Sequence, residues 1–458
     1  MSLDTGDTIE ITALDVAQGG WCVARPDGGR VVFVRHALPG ERVRARVTEV
    51  TSRFARADAI EILDPSPERI EAPCPSARPG GCGGCDWQHA SLPAQRALKA
   101  AVVAQQLRRL AGIDREVMVE ALPGDEDGAP GAGLGWRTRV QFAVRQDGRA
   151  GLRAHRSHEV IDVGDCLIAH PAIRELGIPE LSWQGAESVE AITTGSERAV
   201  TVTRRSGGAG RDAAIRSGEK DAGGVAAVTA EAVLSRAGRR LTPVRGGPYL
   251  RQRAAGRDWR VSAGAFWQVH PAAAETLTAA VCAAVEPKPG DVVLDLYCGA
   301  GLFAGALAPL VGPNGAVIGI ESDDAAVRDA RHNLRDTPWA RVRRGDVARV
   351  LRHGRPGGRS GSVGRGSTAG AAWSGESRGL PSARLVVADP PRAGLVRSVI
   401  DDLSSGEAER FAYVSCDPAT LARDLGLLLA RGWRLEGLRA FDAFPMTHHV
   451  ECVASLAR

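Results

Sequence analysis

Hydrophobic and polar positions change period several times along this chain, and the changes mark its parts. From about Asp7 to Asp64 they alternate, as in Thr8-Ile9-Glu10-Ile11 and Arg42-Val43-Arg44-Ala45-Arg46-Val47, with a turn signal at Pro26-Asp27-Gly28-Gly29 and another strand at Val31 to Val34. Short alternating strands with glycine turns predict an OB-like β-barrel. Beyond a Pro65-Ser66-Pro67 linker, Leu92 to Ala111 sets apolar residues at helical spacing among strong helix formers, which predicts an amphipathic helix. Trp136 to Ile168 returns to strand patterning. Ser206 to Gly224 and Gly354 to Ser382 are Gly, Ser and Arg-rich, and read as insertions without a core of their own.

The second half reads differently. Val292, Val293, Leu294 and Leu296 form a continuous apolar run of the kind a buried parallel strand needs, Gly299 and Gly301 follow, and a helical pattern begins after them. Ala316 to Ile320, Leu385 to Ala388 and Phe411 to Val414 repeat the theme, and Pro271 to Val285 is helical. The fold class is α/β: a C-terminal Rossmann-like domain (263–458), an N-terminal OB-like barrel (1–66) and a central, mainly β domain with a cysteine loop (67–262). In such a sheet the carboxyl ends of the strands face the ligand crevice.

Composition narrows this only slightly. With 458 residues the chain can bury full cores. A net charge of +4 permits nucleic acid as a partner without demanding it. Nine cysteines, no apolar run long enough for a membrane span and no signal-like segment over Met1 to Ile11 predict a cytoplasmic location and no membrane partner, with thiols reduced or metal-bound. Arg35, Arg42, Arg44, Arg46, Arg53 and Arg56 on the barrel suit either a phosphate track or a solvated face. Arg137, Arg139, Arg145, Arg149, Arg153, His155 and Arg156 make the better candidate RNA surface.

The glycine turn names a ligand by what it lacks. A dinucleotide loop requires a third glycine, where Ala304 stands, and tolerates no acid against its pyrophosphate, whereas Asp295 sits at this turn. A carboxylate there suits the amino group and sulfonium of S-adenosylmethionine. Glu321 ends the next strand, where it can hold ribose hydroxyls, and Asp346 ends a third, facing an adenine amino group. Tyr297 lines the same crevice, and Phe266 and Gln268, one helix upstream, reach toward it.

Cys74, Cys82 and Cys85 share a Pro/Gly-rich loop with seven and then two residues between them, and Cys166 follows far downstream. Four thiolates so arranged suit an iron–sulfur cluster or a structural zinc, and the single C-x-x-C favours the cluster. Cys416 follows a strand and precedes Asp417-Pro418 and a helix, whose dipole favours a thiolate. A nucleophilic cysteine beside a methyl donor points to carbon 5 of a pyrimidine, a poor nucleophile until something adds at carbon 6. Glu451 is the candidate base for the carbon 5 proton, with His448 and His449 as competitors.

The set CGGCDWQ, FWQVH, LDLYCGAG, ADPPRAG, VSCDPATLARDL and HHVE resembles the RNA 5-methyluridine methyltransferases, and the barrel resembles their TRAM domain. The resemblance spans nearly the whole chain. It implies a class I methyltransferase domain, a [4Fe–4S] cluster on Cys74, Cys82, Cys85 and Cys166, donor binding by Gln268, Tyr297, Glu321, Asp346 and Asp389, the nucleophile at Cys416 and the base at Glu451. Barrel and cysteines together resemble the ribosomal RNA branch, which makes large-subunit ribosomal RNA the expected partner ahead of transfer RNA. The rival expectations are cytosine carbon 5 methylation and a non-catalytic RNA-binding factor.

Overall fold

The computed structural model describes residues 3–26, 29–204, 234–236, 239–353 and 379–458. The insertion expected over Ser206 to Gly224, and nearly all of that over Gly354 to Ser382, lie outside the described residues. Two compact units form: Met1–Gln105, Met118–Ala227 and Asp442–Val450 make the first, and Gln106–Val117, Val228–Phe441 and Glu451–Arg458 the second.

In the first unit β1 (Thr8–Ala17), β2 (Trp21–Ala24), β3 (Val31–Arg35), β4 (Arg42–Val50) and β5 (Phe54–Asp64) close a barrel in the order β1-β2-β3-β5-β4. Alternation drives the closure: Ile11, Ala13, Val32, Val34, Val43, Ala45, Val47, Ala55 and Ala57 are all buried together inside. Outside, Arg42 pairs with Glu10 and Asp64, Arg44 with Glu10 and Glu61, and Arg56 with Glu49. These arginines therefore face carboxylates of the same barrel, as a solvated face does.

The rest of this unit holds α1 (Leu92–Gln106), β6 (Val119–Ala121), β7 (Arg139–Val144), β8 (Ala150–Arg153), β9 (Val160–Ile161), the short α2 (Pro171–Arg174), β10 (Ala186–Thr193) and β11 (Arg198–Arg204). β11, β10, β7, β8 and β9 lie side by side in that order. Residues 442–450 return to this unit because α1 holds them. Lys99 and Asp442 form a fully buried ion pair, Lys99 Nζ also donates to the Phe444 carbonyl at 3.0 Å, and the Met446 N–H donates to Gln95 Oε1 at 2.7 Å. A buried charge needs such partners.

The second unit begins with β12 (Leu234–Arg236), β13 (Arg239–Arg245) and the hairpin of β14 (Tyr249–Ala254) and β15 (Arg257–Ser262). Ala255 and Gly256 both take positive φ, as a two-residue hairpin turn demands. Then follow α3 (Ala273–Val285), β16 (Val292–Leu296), α4 (Leu302–Val311), β17 (Ala316–Glu321), α5 (Asp324–Asn333), β18 (Ala340–Arg344), α6 (Val347–His353), β19 (Leu385–Ala388), α7 (Arg397–Ser405), β20 (Arg410–Ser415), α8 (Pro418–Leu429), β21 (Arg434–Asp442) and β22 (Glu451–Ala457). Within this unit the sheet order is β18-β17-β16-β19-β20-β22-β21; the first five strands are parallel and β22 is antiparallel to both neighbours. The chain moves outward from β16 to β18 and resumes on the other side at β19. That reversal opens a crevice above the carboxyl ends of β16 and β19.

Candidate active site

Register aligns the strand ends. Leu296 pairs with Ile320 and with Ala388, and Ala388 pairs with Tyr413, so the chain leaves β16, β17, β19 and β20 along one edge at Tyr297, Glu321, Asp389 and Cys416. Tyr297 has φ +63°, a left-handed conformation that costs an aromatic residue on the order of 1–2 kcal/mol. Gly299 and Gly301 continue in positive φ, which glycine adopts without that penalty.

Carboxylates organise this turn. Glu321 Oε2 accepts the Gly299 N–H at 3.0 Å, and its Oε1 accepts from Ser322 and Asp323 at 2.6 and 2.8 Å. Asp346 caps α6 by accepting the Arg349 N–H at 2.9 Å, and its charge is felt at Tyr297, whose phenol is pushed up to about 12 chiefly by burial. Asp295 departs from expectation. It is fully buried beneath the turn, where Oδ2 accepts the Ala304 N–H at 2.8 Å and Oδ1 has no hydrogen-bond partner among the described residues. Burial, then the charges of Asp389 and Glu321, push its acid up to about 8. Asp295 props up the loop and α4. Gln268 is buried in this unit, while Phe266 is 62% exposed.

Cys416 and Glu451 come together through strand pairing. Ser415 opposes Cys452 on β22, so Cys416 leaves β20 where Glu451 enters β22. The helix beyond Cys416 is capped by Asp417, which accepts the Thr420 N–H at 2.8 Å. The expected lowering of the thiol does not prevail: burial, then Glu451, push Cys416 up to about 12, with Arg392 pulling the other way. Burial also lifts Asp389 to about 7, and lifts Glu451 well above the ordinary carboxylate range with help from Asp389. A thiol and two acids, all of raised pKa, meet at one end of the sheet, as pKa-tuned groups do.

Arg392 is the residue that sequence reading passed over, although ADPPRAG contains it. The loop carrying it is clamped onto α8: Thr420 Oγ1 donates to the Arg392 carbonyl at 3.0 Å, Arg423 to the Ala393 carbonyl at 2.8 Å, and buried Asp424 accepts from Leu395 N–H at 2.8 Å and Tyr413 hydroxyl at 2.7 Å. Gly394 has φ +77°, and a Cβ there would fall 2.1 Å from Thr420 Cγ2. Only glycine fits.

In the first unit Cys74, Cys82, Cys85 and Cys166 line one pocket with Gln88 and Arg137. Glycines let the loop fold tightly: a Cβ on Gly83 would fall 2.5 Å from the His155 backbone, and the Gly84 N–H donates to Cys82 Sγ at 3.4 Å. Among the described residues no three metal-ligating side chains are grouped as a single ion would need. The basic sheet expected around them differs from the reading: Arg137 turns to the thiol pocket, Arg139 pairs with Glu190, Arg145 with Asp147, and His155 packs edge-on to Trp21. His448 belongs here too, its Nδ1 bonded to Asp86 Oδ2 at 2.6 Å, and His449 stacks beside it. No helix among the described residues is long and apolar enough to cross a membrane.

Comparison with known proteins gives matches along the chain. Residues 3–60 match the TRAM domain, 287–347 a methyltransferase domain and 382–458 the tRNA (Uracil-5-)-methyltransferase family. An uncharacterized RNA methyltransferase of Streptomyces coelicolor is 49% identical, covering 98% of this chain and 93% of its own. One from Bifidobacterium longum is 33% identical, covering 96% and 95%. The crystal structure of Pyrococcus abyssi tRNA (uracil-54, C5)-methyltransferase in complex with S-adenosyl-L-homocysteine shares the fold, with a TM-score of 0.66 at 21% identity over 98% of this chain and 100% of that one.

Proposed function

We propose, for a chain that belongs to the TRAM-bearing RNA methyltransferases of the uracil-5 family, that it methylates carbon 5 of one uridine in large-subunit ribosomal RNA through a covalent adduct on Cys416. The observation that carries the chemistry is the register of β20 on β22, which brings a thiol and a carboxyl of raised pKa to one strand end beside Asp389.

The donor, S-adenosylmethionine, supplies an electrophilic methyl group. Glu321, Asp346, Asp389, Tyr297 and Gln268 would hold it, the acids meeting its hydroxyls and amino groups. Its positive charge among these carboxyls would favour their ionised forms and that of Cys416, which burial otherwise disfavours. The target base leaves its stack so that both faces of the ring are open. Cys416 sulfur adds to carbon 6, and the displaced electron pair makes carbon 5 nucleophilic enough to take the methyl group. Glu451 then accepts the carbon 5 proton, the double bond re-forms and the carbon–sulfur bond breaks, returning the thiolate. A carboxylate whose acid is weakened by burial is the stronger base for that step.

Cys74, Cys82, Cys85 and Cys166 would hold a [4Fe–4S] cluster: four thiols line one pocket, a backbone N–H reaches one sulfur, and Arg137 offsets thiolate charge. It would brace the cysteine loop and supply nothing to methyl transfer. An anaerobic preparation with broad visible absorption supports this assignment; a colourless preparation containing one zinc per chain removes it.

Labelled donor, candidate RNAs and nucleoside analysis test the whole reading. 5-Methyluridine is expected in ribosomal transcripts; 5-methylcytidine, or no product, overturns it. Transfer RNA is the second reading, favoured by the whole-chain likeness to the Pyrococcus abyssi tRNA (uracil-54, C5)-methyltransferase, and product confined to transfer RNA would establish it.

A further inference from the structure

One carboxylate on α8 is bonded both to the strand that ends at Cys416 and to the loop that follows Asp389. Asp424 is fully buried. Its Oδ2 accepts the Tyr413 hydroxyl at 2.7 Å and the Leu395 N–H at 2.8 Å, and its Oδ1 accepts from Arg423 Nε at 2.8 Å. Tyr413 precedes Cys416 on β20, and Leu395 ends the loop that begins at Asp389. The same helix reaches the loop twice more, since Arg423 and Thr420 donate to the Ala393 and Arg392 carbonyls at 2.8 and 3.0 Å. The approach is so close that a Cβ on Gly394 would fall 2.4 Å from Asp424 Oδ2.

A carboxylate buried this deeply is costly unless donors surround it, and here both oxygens are used. Asparagine would fill the same space with one acceptor oxygen in place of two. Whichever way the amide turned, its NH2 group would face a donor, either the Arg423 guanidinium or the Leu395 N–H. Burial, then the charge of Asp424, push the Tyr413 phenol well up, so its hydroxyl stays the donor.

What the loop carries matters to the thiol. Burial, then Glu451 on β22, Asp389 on the loop and Asp417 at the cap of α8, push Cys416 up, and Arg392 on the loop pulls it down. Cys452 on β22, itself raised by burial, feels Cys416 in turn. Arg392 also opposes the rise that burial and Asp389 cause at Glu451. Two of the charges that set the balance at the sulfur therefore ride on the segment that Asp424 holds.

We propose that Asp424 is a positioning residue for methyl transfer: bonded at once to the strand of Cys416 and to the loop of Arg392, it fixes sulfur and guanidinium relative to each other. The inference rests on the methylation reading and adds the residue that keeps its parts in register.

Alkylation of Cys416 by iodoacetamide at one fixed pH, with peptide mapping, reads this coupling in the full-length protein. Arg392→Gln should slow alkylation in the parent background and leave it unchanged once Asp424→Asn is present, because the guanidinium is then no longer held at the thiol. Asp424→Asn alone should lower single-turnover transfer to the RNA that the parent methylates by at least about tenfold, as displacement of reacting groups does. Tyr413→Phe, which keeps the carboxylate and removes one bond, should cost about fivefold. A single cooperative urea transition shows that each variant is folded, and if Asp424→Asn lacks one, Tyr413→Phe decides by its rate. An active parent whose folded Asp424→Asn form keeps either its rate or its Arg392 effect overturns this inference alone, as does a Tyr413→Phe form with the parent's rate. A parent that methylates no RNA overturns the methylation reading, and this inference with it.

Discussion

The chemistry assigned to Cys416 depends on its burial and on four charges that bear on it. Burial, then Glu451, Asp389 and Asp417, keep the thiol protonated and Arg392 opposes them, so the resting sulfur should react slowly with iodoacetamide at neutral pH and faster as pH rises toward about 12. Removing a neighbour should move that profile in opposite directions. Glu451→Gln deletes a raising charge and should shift alkylation of Cys416 to lower pH, whereas Arg392→Gln should shift it higher; rates measured across pH with peptide mapping decide. Cys416 follows an apolar run at the carboxyl end of a parallel strand, where such a sheet puts ligands, whereas Glu451 opens the antiparallel strand beside it, a placement that strand pairing and not the local pattern decides. Arg392 was not legible, since its position depends on a loop clamped by Asp424 some thirty residues later. Asp295 was misread for a similar reason: sequence shows an acid at the turn but not the Ala304 N–H that it accepts.

At the scale of elements, the loop from Asp389 to Leu395 and the segments around Asp86 carry the sharpest consequences. Gly394→Ala puts a methyl into Thr420 and forces a non-glycine residue to φ +77°. Stability should fall by about 2 kcal/mol or more, and methyl transfer should fall further as Arg392 loses its place; urea unfolding and single-turnover assays read the two effects separately. In the first unit His36 and His89 are buried and held neutral, their pKa values lowered to about 3 and about 4. Arg35, His89, Asp86 and His155 surround His36, and Arg69, Glu41 and Asp86 bear on His89. Below the ordinary histidine range the unfolded chain takes up protons that folded His36 and His89 refuse, so their contribution to stability should fall as pH drops from about 6.5 toward about 3, opposite in sign to that of the raised acids Asp295 and Asp389. The difference in urea midpoint between the parent and His36→Gln/His89→Gln across this window isolates the sign, and a difference that grows in the parent's favour on acidification contradicts it.

For the whole molecule, periodicity disclosed what local pattern determines. The alternation of the barrel and the continuous apolar runs of the parallel strands became the expected elements with nearly the expected ends. The partition of the chain did not follow the linear boundaries at 66 and 262. Residues 442–450 return to the first unit through Lys99, Gln95 and Asp86, and the β14–β15 hairpin joins the second through Trp259 and Asn333. Such membership is decided by partners tens to hundreds of positions away, which no local period encodes. Charge behaved likewise: Arg42 and Arg44 in the barrel and Arg139 in the central sheet meet carboxylates from other strands, which the local pattern does not show.

Methyl transfer by this route requires one sulfur to bond to a uracil ring, and an RNA carrying 5-fluorouridine at the target position tests that most directly, because fluorine at carbon 5 blocks the proton removal that frees the enzyme. After incubation with S-adenosylmethionine, digestion and mass spectrometry, a methylated fluorouridine adduct is predicted on the peptide containing Cys416 and absent from Cys416→Ala. An adduct on another residue, or methylation of normal RNA by the Cys416→Ala protein, would contradict it.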